Sequence, residues 1–339
     1  MRVRASPVHN GGMRAITYST QGPAREVLNR VDMDVPSPGP GEVRVRVAYS
    51  AINPTDVKMR GGLTPRAITD FQIPHMDGSG VIDAVGVGVD PARIGDHVWL
   101  MLVAHESRWG TAAEALVVDA DRAITVPAGV SLEHAATLAV PSLTAAHCLR
   151  EGGVVSGSSG LIQGGAGGVG RAAIELARHA GARVFATAST PAKQEIARAA
   201  GAECVVDYRD PSAAQHILEA SGGIDCVIEL NLGVNLELDL AVARTGSAIV
   251  IYAADGADPQ VPIRRMMMAC VELHFMILYN ITPEELRASI ATVSDALAAG
   301  ALTPPPTQFF SLDDCVEAHE AQEAGPSARI LLTVNDMEK

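Results

Sequence analysis

A glycine-rich turn near the middle of the chain has the residue types and spacing of a ligand site. Residues 160–170 read GLIQGGAGGVG, with glycines at 164, 167 and 170. Leu161 and Ile162 predict the end of a buried strand, and apolar residues at helical spacing predict a helix over 169–180. Such glycines let the backbone approach a ligand, and the following helix directs unpaired N–H groups at it. The pattern favours a pyrophosphate site, although a plain glycine turn fits it about equally well.

The order of predicted elements around this turn decides between the two interpretations. From about residue 131, helices and strands alternate. The predicted helices cover 132–149, 169–180, 191–200, 212–220 and 235–243. The first predicted strand ends at 162, and the other five cover 183–187, 204–207, 225–229, 247–252 and 271–278. Six strands with intervening helices predict an α/β fold with a doubly wound parallel sheet. The glycine turn joins the first strand to the first helix, where a dinucleotide-binding fold needs it.

The flanking parts of the chain have a different pattern. Residues 14–18, 42–48 and 81–89 predict short strands, and 93–100 predicts a turn followed by a strand. Strict alternation over 42–48 indicates a half-buried strand. Short strands at this spacing suggest a small barrel or sandwich. After the α/β region, the run from Thr282 to Glu285 predicts the start of a capped helix, and a helix over 313–323 and a strand over 328–334 follow.

Composition bounds the class of protein. The chain has 339 residues, 47% of them hydrophobic, and a net charge of −13, which predicts two domains with sizeable cores. The acidic balance argues against nucleic acid and anionic membranes as partners, and no apolar run approaches the roughly 20 residues of a membrane span. Five scattered cysteines predict a reducing, cytoplasmic location without a disulfide framework. We expect no signal peptide, and we expect residues 1–12, before a second possible start at Met13, to be a disordered extension.

The end of the second strand of the α/β region indicates which dinucleotide is bound. NAD-binding folds usually hold the ribose with a carboxylate there. This chain has no acid over 186–190, and instead has hydroxyl groups and, four residues after Ser189, Lys193. Hydroxyl groups and a cation suit a 2′-phosphate, which an acidic side chain would repel. The sequence therefore predicts NADP(H), with a solvated surface charge as the alternative for Lys193.

Several further segments resemble the zinc-free quinone oxidoreductases of the medium-chain dehydrogenase/reductase superfamily, most closely the ζ-crystallin type. The segments that carry this resemblance are AINPTD at 51–56, DGSG at 77–80, AVPSLTA at 139–145, AGGVG at 166–170 and the stretch from Ile224 to Leu240. Together they extend the resemblance over nearly the whole chain from Met13 onward.

The resemblance implies a fold and a chemistry. The fold is a GroES-like β-barrel catalytic domain, formed by residues 13–137 and 279–339, with a Rossmann NADP-binding domain, 138–278, inserted before its last segment. In the chemistry, NADPH delivers hydride to a quinone or to an α,β-unsaturated carbonyl compound. An enoyl or enone reductase for a biosynthetic intermediate and a non-catalytic NADPH-binding protein stay open as alternatives. The family commonly forms homodimers, and the apolar sixth strand at an exposed sheet edge suggests pairing there.

The residues present argue against zinc. Zinc members of the superfamily use cysteine, histidine and acidic ligands in the catalytic domain, but residues 1–147 contain no cysteine. The corresponding segments hold Asn53 and the run His75-Met76-Asp77. His75 and Asp77 are one ligand short of the three that a catalytic zinc normally needs. The sequence therefore predicts no zinc, and a structural turn at His75 to Asp77.

The resemblance also gives candidate site residues. Asn53 is the first catalytic candidate, near the nicotinamide, with a plain Asn-Pro turn as the alternative. Tyr49 and Lys58 are candidates for proton supply or carbonyl polarisation, with a packed ring and a solvated charge as their alternatives, and water can also protonate an enolate. The cofactor-binding candidates are Asn53, Thr144, Ala166, Gly167, Gly168, Val169, Ser189, Lys193, Tyr208, Asn231, Ala253 and Phe275. A packed ring at a strand end is the alternative for Tyr208, and a core position is the alternative for Phe275.

Overall fold

A computed structural model describes residues 12–64, 67–254 and 258–337. The predicted N-terminal extension therefore lies outside the described residues, apart from Gly12. The chain divides into two compact units, one formed by the residues up to Val140 and from Pro304 onward, the other by Pro141–Thr303. Within the described ranges, every helix is too short or too polar to span a bilayer.

The first unit is a β structure with short helices. Its central strand has fully buried Val43, Val45 and Val47 alternating with half-buried arginines, as the sequence pattern predicts. The strands are β1 Met13–Thr17, β2 Asn29–Met33, β3 Glu42–Ile52, β4 Asp77–Val85, β5 His97–Leu100, β6 Ala115–Asp119, β7 Ala123–Thr125, β14 Thr307–Ser311 and β15 Arg329–Thr333, and the helices are α1 Ala24–Val27, α2 Pro54–Gly61, α3 Leu132–Ala136 and α11 Cys315–Glu323. Seven strands form one sheet in the order β14-β15-β3-β4-β5-β7, with β6 also paired to β3. The C-terminal strand β15 thus lies beside β3, antiparallel to it.

The second unit is a parallel sheet covered by helices. Its elements are α4 Ala139–Glu151, β8 Ser159–Ile162, α5 Gly168–His179, β9 Arg183–Thr187, α6 Pro191–Ala200, β10 Cys204–Val206, α7 Ala213–Ser221, β11 Ile224–Glu229, α8 Leu232–Val242, β12 Ala243–Ile251, α9 Ile263–Ala269, β13 Glu272–Phe275 and α10 Pro283–Ala298. The strand order β10-β9-β8-β11-β12-β13 confirms the predicted doubly wound sheet of six parallel strands. The order reverses at β8, and ligands of such sheets bind at the carboxyl ends of the strands near that reversal.

Some predicted boundaries differ from the observed ones. The helix predicted over 132–149 is two helices, α3 and α4, because Thr137 ends α3 and its hydroxyl donates to the carbonyl of His134 (2.7 Å). The strand predicted over 81–89 begins earlier, at Asp77, since Gly78 and Gly80 are strand residues that lie against β3. A Cβ atom on Gly80 would come within 2.2 Å of the Arg46 carbonyl oxygen, so the glycines allow close strand approach instead of a turn. The sequence pattern did not predict the strands β2, β6, β7 and β14 or the helices α1, α2 and α9.

Residues 279–303, which the resemblance assigns to the barrel domain, belong to the second unit. Helix α10 within this segment packs against α5. Arg150 of α4 forms an ion pair with Glu285 at the start of α10 (3.2 Å), and Thr303 hydrogen-bonds to Glu175 of α5 (2.5 Å). Helix packing and polar contacts at both ends therefore hold this segment against the rest of the second unit.

Candidate functional site

The glycine turn has the geometry of a phosphate-binding loop. Gly164 adopts a φ of 67°, which favours glycine, and a Cβ atom on Gly170 would lie 2.3 Å from the Gly164 carbonyl oxygen. Gly167, the N-cap of α5, is different, because an added Cβ would meet its nearest protein atom at 3.4 Å. Ala166, Gly167, Gly168 and Val169 are exposed or half-buried, so a ligand can reach this end of α5. The first N–H groups of a helix have no acceptor within it, and they can bind an anion there.

A buried hydrogen-bond network supports the turn from below. The Gly164 N–H donates to the Thr187 hydroxyl oxygen (3.2 Å), and this hydroxyl donates to the Gln163 amide oxygen (2.6 Å). The Gln163 amide nitrogen donates to Asp239 Oδ1 (2.7 Å) on α8. Burial, and next the neighbouring carboxyl group of Glu229, raise the pKa of Asp239 well above its ordinary value. This network fixes the glycine turn against β9 and α8.

The predicted 2′-phosphate residues lie together at the carboxyl ends of β9 and β10, which are neighbours in the sheet. Ser189 is half-buried, and Lys193 lies in the first turn of α6, whose N-cap Thr190 accepts from the Lys193 N–H (3.3 Å). Tyr208, also half-buried, follows β10. No acid ends β9, as the sequence shows.

Arg209 is a candidate that the sequence reasoning missed. Its guanidinium donates to the Ser189 carbonyl oxygen and lies 5.7 Å from the centre of the Tyr208 ring. It also binds both carboxylate oxygens of Asp207 (2.9 and 2.6 Å), and this pairing lowers the pKa of Asp207 to about 2. The available signal was a basic residue two positions after the end of the predicted strand 204–207. Arg209 therefore places a guanidinium beside Ser189, in addition to Lys193 in the first turn of α6.

The predicted nicotinamide-side residues are distributed along the same edge of the sheet. Asn231 is the N-cap of α8 and follows β11, Ala253 follows β12, and both are half-buried. Phe275 ends β13 with 74% of its surface exposed, so it is not a core residue. Thr144 is buried in α4. Asn231, Ala253 and Phe275 thus lie at or just after the ends of three neighbouring strands, whereas Thr144 lies on a helix.

The first unit contains a buried polar cluster around Asn53, which lies at the end of β3 and caps α2. Its amide nitrogen donates to Asp77 Oδ2 (2.8 Å), and its amide oxygen accepts from Arg329 (3.0 Å). Asp77 Oδ2 also accepts the Val140 N–H (2.9 Å), whereas Asp77 Oδ1 has no partner among the described residues. Two oppositely charged neighbours thus fix the orientation of the Asn53 amide.

Burial shifts the pKa values of the charged groups in this cluster. It raises the pKa of Asp77 to about 6, against the opposing charge of Arg329 and the hydrogen bond from Asn53. It raises the pKa of Asp56 to about 8, although this carboxyl group accepts the N–H groups of Asn53 (2.7 Å) and Met76 (3.0 Å). Burial also lowers the pKa of Arg329. Perturbed pKa values of this kind are frequent at functional sites.

The two other catalytic candidates lie on the same elements. Tyr49 is half-buried on β3, and its ring lies 6.1 Å from that of Phe309. Lys58 is half-buried in the last turn of α2. The sequence pointed to Asn53, Tyr49 and Lys58, but it assigned no role to Arg329, whose partner Asn53 is 276 positions away.

His75 makes different contacts from those expected of a plain turn. Its φ of 82° lies in the left-handed region, which costs about 1–3 kcal/mol for a residue of this type. Its ring lies against His319 of α11 and near Cys315, and the three residues form one of two groups of possible metal ligands in the described chain. The other group is His147, Glu151 and Glu285.

Comparison with known proteins identifies the class of this chain. Residues 39–128 match the family described as alcohol dehydrogenase GroES-like domain, and residues 168–295 match that described as zinc-binding dehydrogenase. The quinone oxidoreductase of Sus scrofa is 30% identical over 311 residues, which are 91% of this chain and 93% of that protein. The chain belongs to the medium-chain dehydrogenase/reductase superfamily and is an oxidoreductase. Its similarity to quinone oxidoreductases and the GroES-like and Rossmann fold classes confirm what the sequence motifs predicted.

Two further similarities bear on function. The phthioceranic/hydroxyphthioceranic acid synthase of Mycobacterium tuberculosis is 35% identical over 292 residues, which cover 83% of this chain. The chain spans only 13% of the length of that synthase. A mycobacterial protein solved in complex with NADPH has 28% identity and a TM-score of 0.81, over 95% of this chain and 99% of that one.

Proposed function

We propose that this protein uses NADPH to reduce a quinone or an α,β-unsaturated carbonyl compound, without a metal ion at the reacting centre. The observation that carries the proposal is the end of β9, which lacks an acid: the Arg209 guanidinium donates to the Ser189 carbonyl oxygen there, and Lys193 lies in the first turn of the helix that follows. Cations and hydroxyl groups suit a 2′-phosphate. The NADPH complex of the similar mycobacterial protein supports this choice of cofactor.

The residues of the second unit would bind and orient the cofactor. Ala166 to Val169 and the N-terminus of α5 would hold the pyrophosphate, and Tyr208 would lie along the adenosine. Asn231, Ala253, Phe275 and Thr144 remain candidates for the nicotinamide side. When bound, NADPH supplies the hydride, and a proton from water completes the reduction.

Asn53 would polarise the substrate carbonyl. An amide nitrogen carries two hydrogens, and since one is donated to Asp77, the other can serve a substrate oxygen. Arg329 holds the amide oxygen and so prevents the amide from flipping. A fixed donor of this kind stabilises the oxyanion that forms as hydride arrives. Tyr49 and Lys58 stay candidates for proton supply.

The cluster around Asn53 does not suit the zinc ion that the family description implies. Asp77 is its only carboxylate with an oxygen that lacks a partner among the described residues, and the guanidinium of Arg329 already lies beside this cluster. A metal cation there would face a fixed positive charge, and it would find an amide nitrogen that donates instead of accepting. The proposed reaction therefore does not use zinc.

An enoyl or enone reductase for a biosynthetic intermediate is the second candidate. It shares the hydride chemistry, and the match to a segment of a phthioceranic acid synthase favours it. The discriminating experiment is NADPH oxidation by the purified full chain with quinones, enones and enoyl thioesters. We expect turnover with at least one of the three classes and a preference for NADPH over NADH. Tight NADPH binding with no turnover in any class would contradict the proposed reaction.

We also propose a cytoplasmic homodimer that pairs through β13. This strand ends the sheet, and Phe275 on it and Met267 and Met268 on the adjoining α9 are more than 70% exposed. All five cysteines are free, in keeping with a reducing compartment. Apolar side chains on an unpaired edge strand favour pairing with a second chain.

Light scattering of the purified protein tests this dimer. We expect twice the chain mass of 35.3 kDa for the native protein, and a shift toward the monomer in Phe275→Lys. Val155→Lys changes a similarly exposed apolar residue and serves as the control. A native protein that is monomeric at every concentration would rule the dimer out.

A further inference from the structure

Three possible metal ligands meet inside the first unit, apart from the Asn53 cluster. His75 precedes β4, and Cys315 and His319 lie one turn apart on α11, so the helix places both on one face. All three are at most 1% exposed, and one ligand atom of each lies within 4.8 Å of the other two. The Nε2 atoms of the two histidines are 2.9 Å apart.

The hydrogen bonds around His75 fix which of its nitrogens carries the proton. Thr111 donates its hydroxyl hydrogen to the Asp77 carbonyl oxygen (2.6 Å), so in its contact with Ser50 (2.7 Å) it can only accept. Ser50 therefore donates to Thr111 and must accept from His75 Nδ1 (2.8 Å). His75 is thus protonated at Nδ1, and its Nε2 lone pair points toward His319. Metal-bound histidines typically have this arrangement, with the second nitrogen donating to a fixed oxygen.

One buried nitrogen of this cluster has no hydrogen-bond partner among the described residues. His319 Nε2 must donate to His75, and His319 Nδ1, which is buried, then has no partner among the described residues. His75 reaches this position only with its backbone in the left-handed region, at φ 82°. The strained backbone of His75 is typical of a binding site. The unpaired Nδ1 of His319 does not itself indicate a metal, because it would carry the proton of an imidazole that binds through Nε2.

The positive charge that acts on this cluster is compensated by a carboxylate. Arg60 is the cation that acts on both Cys315 and His319, and its guanidinium is paired with the Glu323 carboxylate and the Gly22 carbonyl (2.6 Å). Asp56 and Glu317 also act on Cys315, as negative charges when ionised. Burial raises the pKa of the Cys315 thiol and Arg60 only partly opposes this, so a metal ion must displace the thiol proton to bind there.

We propose that His75, Cys315 and His319 bind one Zn²⁺ ion. Two imidazole nitrogens and one thiolate form a ligand set that zinc prefers, and three protein ligands leave the fourth position for water. Binding releases the Cys315 proton to the solvent, and the His319 proton moves from Nε2 to Nδ1, so that the Nε2 lone pairs of both histidines face the ion. Zinc–nitrogen bonds of about 2.0 Å in a tetrahedron need the two Nε2 atoms about 3.3 Å apart, so the rings must separate slightly. The ion would replace the contact between the histidines and fasten α11 to the start of β4. This site does not depend on the proposed reaction.

Metal analysis and cobalt spectroscopy test the site. The full chain is stripped of metal, reconstituted with Zn²⁺ or Co²⁺ during refolding, and dialysed, with Cys270→Ser as the background because Cys270 is the exposed thiol. We expect one ion per chain, a thiolate-to-cobalt charge-transfer band, tetrahedral visible bands and a higher Tm with zinc. Less than one tenth of an ion per chain, or cobalt bands of a site without sulfur, would overturn the proposal.

Ligand variants localise the ion. Cys315→Ser and His319→Gln should each remove the charge-transfer band or weaken cobalt binding by more than the about 10–100-fold typical of residues outside the ligand set. Ser50→Ala, which removes the partner of His75 Nδ1, should weaken binding within that range. His216→Gln, at an exposed histidine, is the control. Should a ligand variant fail to fold, the spectrum of the background protein still decides, and unchanged binding in folded Cys315→Ser would refute the assignment.

Discussion

Replacing Asp239 with asparagine should stabilise the second unit at neutral pH. Asp239 lies under the glycine turn, fully buried, with Oδ1 accepting from Gln163 (2.7 Å). Its Oδ2 and the Glu229 Oε2 atom have no other partners among the described residues, and burial together with Glu229 raises the pKa of Asp239 well above its ordinary value. Asparagine keeps the acceptor for Gln163 and places an N–H donor toward Glu229.

The direction of the pH dependence follows from the sign of the shift. A carboxyl group whose pKa is raised by folding contributes most to stability below its unfolded pKa, about 3.9, and loses that contribution as the pH rises toward its folded pKa. The native protein is therefore penalised at pH 7 and not near pH 4. The variant has no such penalty, so its advantage should grow between these two pH values.

The expected size follows from the unpaired buried oxygen. A buried polar atom without a hydrogen-bond partner costs about 1–3 kcal/mol, and Asp239 Oδ2 has no partner among the described residues. Replacing this oxygen with an N–H donor toward Glu229 should therefore raise the free energy of unfolding by about 1–3 kcal/mol at pH 7. For a unit of this size each kcal/mol moves Tm by about 2–4 °C, so Tm should rise by at least about 2 °C.

Thermal unfolding at pH 4.5 and 7, followed by circular dichroism, measures this effect. Asp295→Asn is the matched control, because it removes one exposed carboxylate of the same unit. A Tm for Asp239→Asn that is unchanged or lower at pH 7, or a gain of equal size at both pH values, would refute the reasoning about the carboxyl pair.

Two further predictions concern the glycine turn and Asn53. Gly170→Ala should lower the free energy of unfolding by about 1–3 kcal/mol, since its Cβ would lie 2.3 Å from the Gly164 carbonyl oxygen, whereas Gly167→Ala should keep the native Tm and weaken only NADPH binding. Equal Tm values for both variants in thermal unfolding would contradict this account of the turn. Asn53→Ala should lower kcat about 10²-fold or more with NADPH affinity little changed, as expected for loss of an oxyanion donor. Asn53→Ser keeps a capping side chain for α2, so a kcat near the native value in this variant would indicate that Asn53 acts only as a cap.

The sheet unit could be predicted from the sequence because its signals are local. The strand, glycine turn and helix around residues 160–180 lie in one short segment, and β9 and α6 have the predicted bounds. The capped start of α10 was equally readable, because Thr282 and Glu285 reciprocate as a capping box. In each case the residues that define the element lie within a few positions of one another.

The polar clusters of the barrel unit could not be predicted, because their members meet through tertiary structure. Arg329 reaches Asn53 only because β15 pairs with the end of β3, and His319 reaches His75 across 244 positions. The pattern of residues 75–77 gave two metal-ligand types and no third, since Cys315 and His319 lie on a helix near the other end of the chain. Arg209 was missed for a different reason. It lies close to the predicted strand end in the sequence, but the sequence does not show that its guanidinium reaches the Ser189 carbonyl oxygen.

The ratio of the NADH and NADPH Kd values tests most directly whether the end of β9 binds the 2′-phosphate of NADPH. Fluorescence titration of the native protein should give NADPH binding at least about tenfold tighter than NADH binding. A charge-assisted hydrogen bond is worth about 1.5–3 kcal/mol, so Lys193→Ala and Arg209→Gln should each weaken NADPH binding about tenfold or more and leave NADH binding unchanged. Arg198→Gln, at an exposed cation farther along α6, should change neither value. Equal affinity for the two nucleotides in the native protein, or an unchanged NADPH Kd in both variants, would contradict the account.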